Sequence, residues 1–114
     1  MTSTPAPEDV FLEVVQHPDR TVVVVSGELD VRTAPELRRV LFDPDVALTS
    51  LVVVDLATVT FLDSVGIGAL VAARRWLTSR GTGMVLVCGD TQPRRVLTMT
   101  GLHKVFDIAL PSSD

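Results

Sequence analysis

The sequence predicts an α/β domain with a mixed sheet of four to five strands and three to four helices, and three observations carry that prediction. Near the start, an alternating apolar segment is followed closely by a β-branched one, which reads as a hairpin. In the middle of the chain Leu51-Val52-Val53-Val54 is wholly apolar. From there to the end, segments with helical spacing alternate with strand-like ones, the order that builds a mostly parallel sheet through right-handed crossovers.

The elements follow in order. Val10, Leu12 and Val14 alternate with more polar positions, and after His17-Pro18-Asp19-Arg20 the run Thr21 to Val25 is β-branched throughout. These are two strands joined by a tight turn, and they supply the antiparallel edge. Thr33 and Glu36 stand at capping-box spacing, with Pro35 tolerated in the first turn and Leu37, Val40 and Leu41 on one face. A first helix is expected after Thr33, ending before Pro44. The Leu51 to Val54 run has the pattern of a central strand covered on both faces. Asp63-Ser64 then opens a second helix that ends at Gly81, since capping residues start helices and glycine stops them. Met84 to Cys88 reads as a further strand, and Thr91-Gln92-Pro93 opens a third helix ending at Gly101. Val105 to Ile108 is a short closing strand or helical turn.

Composition narrows the function. With 114 residues and 46% hydrophobic content the chain has material for one core. Residues 1–8 and 111–114 are expected to be flexible tails around a domain at 9–110, because the ends are biased towards Pro, Ser and Thr. Net charge is −4 and no run of Lys or Arg exceeds two, which argues against direct nucleic-acid binding or an anionic lipid surface. Cys88 is the single cysteine, so no internal disulfide or cysteine-based zinc site can form, as suits a reducing cytoplasm. No apolar stretch approaches the ~20 residues that span a bilayer, so membrane insertion is not expected.

Catalytic arrangements are absent from the pattern. His17 and His103 neighbour no candidate nucleophile, and Cys88 ends an apolar strand as a buried hydrophobe would. Gly66-Ile67-Gly68 lacks the rest of a dinucleotide fingerprint, and no phosphate-cradling Gly-Lys-Ser sequence occurs. Glu28, Asp30, Asp55 and Asp63 each flank a strand or helix end, and separate capping roles account for them better than a metal site. No catalytic residue, cofactor or metal is expected. Asp63-Ser64 is the segment with two readings: a helix cap, and a place where free N–H groups and the helix dipole would accommodate a phosphate on Ser64.

Three segments together resemble the STAS domain of anti-sigma factor antagonists. They are Gly27-Glu28-Leu29-Asp30 with Thr33-Ala34-Pro35; Asp55-Leu56 through Phe61-Leu62-Asp63-Ser64-Val65-Gly66-Ile67-Gly68; and Thr100-Gly101-Leu102. The resemblance runs from about Val10 to Ile108. It implies a STAS-like fold and a non-enzymatic protein that binds an anti-sigma factor with serine kinase activity, releasing a sigma factor for transcription. It further implies that this kinase switches the protein off by phosphorylating the serine after the Asp, here Ser64, and that a phosphatase reverses the step. Asp30 and Asp63 match the acidic positions bordering that surface. The sequence departs from the family at Val65, where Ser or Thr is common, so a second hydroxyl acceptor is lost. Other roles open to the family are a subunit of a signalling scaffold and a subunit of a membrane transport complex.

Helical geometry adds a partner-facing strip. At about 100° per residue, Leu70, Ala73 and Leu77, with Ala69 and Trp76 at the margin, face the sheet, while Ser64, Gly68, Val71, Arg75 and Thr78 face outwards. With the flanking motif residues, the expected partner surface comprises Asp30, Asp63, Ser64, Val65, Gly66, Gly68, Val71 and Arg75.

Overall fold

The computed structural model describes residues 10–112, so the expected tail at 1–8 and the last two residues of 111–114 lie outside the described residues. Five strands, β1 (Phe11–Gln16), β2 (Thr21–Leu29), β3 (Leu51–Leu62), β4 (Gly83–Val87) and β5 (Asp107–Ala109), lie side by side in chain order. β1 is antiparallel to β2 and every other pair is parallel. The helices are α1 (Ala34–Leu41), α2 (Ser64–Ser79) and α3 (Gln92–Met99), with short 3-10 turns at Val46–Leu48 and Leu102–Lys104. The mixed sheet, its antiparallel edge and the closing strand agree with the sequence reading.

All three helical crossovers step the same way along the sheet, so right-handed connections place the helical layer on one face. On that face Val23, Val25, Val52, Val54, Leu56 and Leu86 are fully buried and join one core with Leu37, Leu70, Leu77 and Leu97. Each buried leucine contributes roughly 1.5–3 kcal/mol of transfer free energy. On the opposite face Val22, Val24, Val53, Val85 and Val87 are half-buried and none packs against the core. β3 is central, as expected, but among the described residues only one of its faces is covered, which corrects the two-sided burial read from its apolar run.

β3 is also longer than the sequence suggested. It continues past Asp55, where β4 stops pairing with it, to Leu62. Beyond that point α3 takes the place of a neighbouring strand. The Gln92 side-chain amide donates to Leu62 O at 3.0 Å and its carbonyl accepts from Leu62 N at 2.8 Å, so one side chain mimics a strand's backbone pairing.

Two helix ends form for the expected reason and one start does not. At the end of α2, Gly81 adopts φ +78°, while Thr82 N–H bonds Leu77 O and Gly81 N–H bonds Thr78 O, the paired closure that glycine permits. Gly101 likewise takes φ +77° after α3. The capping box at Thr33 is not made. Thr33 donates its hydroxyl to Glu28 O and accepts from Asp30 N, and Glu36 pairs instead with Arg39. Trp76 is half-buried, stacked 5.3 Å from Phe42 and covered by the Arg80 guanidinium at 4.9 Å, so it seals the α1–α2 boundary.

Candidate functional site

The parallel pairing of β2 and β3 brings Leu29 opposite Leu62, so the two turns leading into α1 and α2 start side by side. Register shifts at Val24/Ser26 and Gly27/Glu28 set this alignment, and Gly27 supports the second with φ 103°. Asp63 N–H bonds Leu29 O at 3.1 Å, tying the turns together. At this rim of the sheet stand Asp30, Asp63 and Ser64.

Asp63 is the N-cap of α2. Its Oδ1 accepts from Val65 N at 2.9 Å and Gly66 N at 3.1 Å, and its carbonyl accepts from Ile67 N. Ser64 is therefore the first helical residue, and it is exposed. The expectation that free N–H donors would receive a phosphate needs correction, because Asp63 already occupies those of Val65 and Gly66. A phosphoryl group on Ser64 would still sit at the positive end of the helix dipole, but outward and beside a carboxylate.

The neighbouring turn is bound up internally. The Asp30 carboxylate accepts from Arg32 N at 2.9 Å and from the Arg32 guanidinium at 3.1 Å, and the same guanidinium lies 3.9 Å from Glu28. Burial raises the Asp30 pKa, but the hydrogen bonds and charge of Arg32, with a further bond from the Thr33 backbone, hold it below its ordinary value. Asp30 thus stays ionised and fixed next to Ser64's turn.

Of the residues expected at a partner surface, Asp30, Asp63, Ser64 and Val65 gather at this rim, and Arg75 is exposed further along α2. Gly66 does not belong with them. It is buried, and a Cβ there would come within 2.7 Å of a Leu62 methyl and 2.8 Å of Leu29 O, so this glycine lets α2 cross the sheet rim closely. Gly68 has nothing within 4 Å of a Cβ position, leaving open space for an approaching backbone. Val71, expected to be exposed, is half-buried and packs against the core. The sheet-facing side of α2, with Ala69, Leu70, Ala73 and Leu77 buried, agrees with the helical wheel.

The sequence reading missed three contributors. Val31 is 68% exposed and Phe61 40%, and with Val65 at 39% they put exposed apolar side chains in both turns and at the end of β3. Single apolar residues in loops carry no periodic signal. Gln92 was read as a helix opener only, since nothing in its neighbours marks the bond to Leu62. Asp55 lies apart, mid-strand, with its carboxylate accepting from Ala57 N. A groove of about 380 Å³ between β1 and α1 includes none of the rim residues. Cys88 is buried, which pushes its thiol pKa up and leaves it unreactive.

A five-stranded mixed sheet in chain order, with an Asp-capped helix presenting a serine at its rim, is the architecture of a STAS domain. The chain matches the STAS domain family over residues 11–113 and belongs to it. It is 33% identical over 97 residues to the anti-sigma-B factor antagonist of Staphylococcus epidermidis, spanning 85% of this chain and 90% of that protein. The crystal structure of an anti-sigma factor antagonist from Mycobacterium paratuberculosis superposes with a TM-score of 0.83 at 35% identity, over 97% of this chain and 93% of that one. The Bacillus cell fate determinant SpoIIAA, solved in its phosphorylated form, shares the fold at 17% identity, with a TM-score of 0.68 over 90% of this chain and 93% of its own.

Proposed function

We infer that this protein is an anti-sigma factor antagonist that acts in the cytoplasm by binding and not by catalysis. It engages an anti-sigma factor with serine kinase activity through the rim formed by Asp30, Asp63, Ser64 and Val65 together with Gly68 and Arg75 on α2. That binding releases a sigma factor. Phosphorylation of Ser64 switches the interaction off, and a phosphatase restores it.

The observation that carries this reading is the setting of Ser64: an exposed hydroxyl on the first residue of a helix whose cap is already satisfied by Asp63. A phosphate there adds about −1.5 to −2 charges next to one carboxylate and near a second, without breaking a hydrogen bond of the fold. The exposed Val31, Phe61 and Val65 support a binding surface that such charge would disrupt. Kinship with named antagonists at a third sequence identity supports the partner class.

The test is acceptor mapping. The chain is incubated with the anti-sigma kinase that co-purifies from its host, ATP and Mg²⁺, then digested and read by mass spectrometry. Phosphate should be found on Ser64 alone, and Ser64→Ala should take up none. Equal labelling of that variant overturns the site, and co-purification with a membrane transport ATPase in place of a kinase overturns the partner class.

A further inference from the structure

Sheets whose strands run parallel are ordinarily covered on both faces, because their strands are built from apolar residues. Here β2 to β5 are parallel, and among the described residues one face has no helix on it. Across that face the register lines up Val15, Val22, Val53 and Val85, one from each of four adjacent strands, as a continuous apolar row. Val24 and Val87 extend it in the next row. Six valines on one open sheet form a contiguous patch, unlike the scattered apolar residues of an ordinary surface.

Within these two rows the charges have one sign. Asp107 ends the valine row on β5, and Glu13 and Asp55 flank Val24 in the row beside it. Neither row contains a Lys or Arg, and Arg20, just before β2, is already paired with Asp19 at 3.1 Å. A second copy of the chain would bring like carboxylates together, and an anionic lipid surface would be repelled. An apolar stripe bordered by cations would be attracted.

The geometry points to this uncovered face as a second docking surface, separate from the Ser64 rim, for an amphipathic helix of another protein with an apolar stripe edged by Lys or Arg. Its valines would receive the stripe, and Glu13, Asp55 and Asp107 would pair with the flanking cations.

Two synthetic 18-residue helical peptides with one identical leucine stripe, flanked by Lys in one and Glu in the other, serve as probes against the full chain labelled at valine methyls. The Lys peptide should bind at least tenfold more tightly, shifting the methyls of Val22, Val53 and Val85 and leaving Val65 and Val71 unmoved. Glu13→Gln combined with Asp107→Asn, both exposed and outside the core, should weaken the Lys peptide at least threefold. Val53→Thr keeps the shape of the side chain and should weaken both peptides; its amide spectrum establishes that the fold is intact. The proposal is overturned if the two peptides bind alike, if the shifted methyls lie at the Ser64 rim, or if neither peptide binds. It is equally overturned if sedimentation shows the chain pairing with itself through these valines, or if zwitterionic vesicles shift the same methyls.

Discussion

Two strand-to-helix turns lie side by side at the rim of this sheet, and they are built in opposite ways. The turn from β2 into α1 spends its side chains on itself: Arg32 holds Asp30 and approaches Glu28, while Thr33 bonds the backbone at both Glu28 and Asp30. The turn from β3 into α2 uses one side chain, Asp63, to satisfy the helix start and leaves the next residue, Ser64, exposed. The first turn is a fixed wall. The second leaves one chemically addressable hydroxyl exposed, the arrangement that the proposed phosphorylation of Ser64 would use without breaking a bond of the fold.

Substitutions can break this contrast, and the largest effect is expected at Gly66. Ala there forces a methyl against Leu29 O and Leu62, so unfolding free energy should fall by about 1–3 kcal/mol and the melting temperature by roughly 4–8 °C per kcal/mol, read by calorimetry. Asp63→Ala comes next: loss of two cap bonds should cost about 1 kcal/mol, and Asp63→Asn should recover most of it in chemical denaturation. Gly68→Ala reverses the sign. Its Cβ meets nothing, so helix stability should rise by about 0.5–1 kcal/mol, yet affinity for the anti-sigma partner should drop if that partner's backbone approaches there.

The smallest effect concerns pH. Because the Asp30 pKa is lowered in the fold, its contribution to stability is full above the ordinary carboxylate value and lost as pH falls through that value towards the lowered one. Arg32→Gln removes the main stabiliser of the carboxylate, so the acid-unfolding midpoint should move slightly upwards. An unchanged midpoint would mean that the two turns are held equally by backbone alone.

Much of this was legible from residue pattern. The hairpin, the central apolar strand, the glycine stops and the Asp-Ser helix start each rest on local chemistry that the fold uses as expected. What escaped depends on partners distant in sequence. β3 runs on to Leu62 because β2 and Gln92 complete its backbone pairing; Ala57 to Phe61 do alternate apolar residues with Thr, but register shifts against β2 leave only Val59 and Leu62 buried there, so burial does not follow that alternation. Thr33 and Glu36 have the spacing of a capping box, but Asp30 and Glu28 compete for Thr33 and Arg39 takes Glu36. Gly66 looked like a surface glycine of a phospho-motif, and its role is visible only once Leu29 and Leu62 lie beneath it. A helical wheel likewise set Val71 facing outwards without showing that the core reaches round to it.

Titration calorimetry of the unmodified and the Ser64-phosphorylated chain against the anti-sigma partner, with circular dichroism recorded on both, tests the switch most directly. The rigid-rim account expects at least a tenfold loss of affinity on phosphorylation with superimposable spectra, since the added charge meets the partner and not the fold. Equal affinities would contradict it, and so would a loss of helical signal, which would make the switch a conformational one.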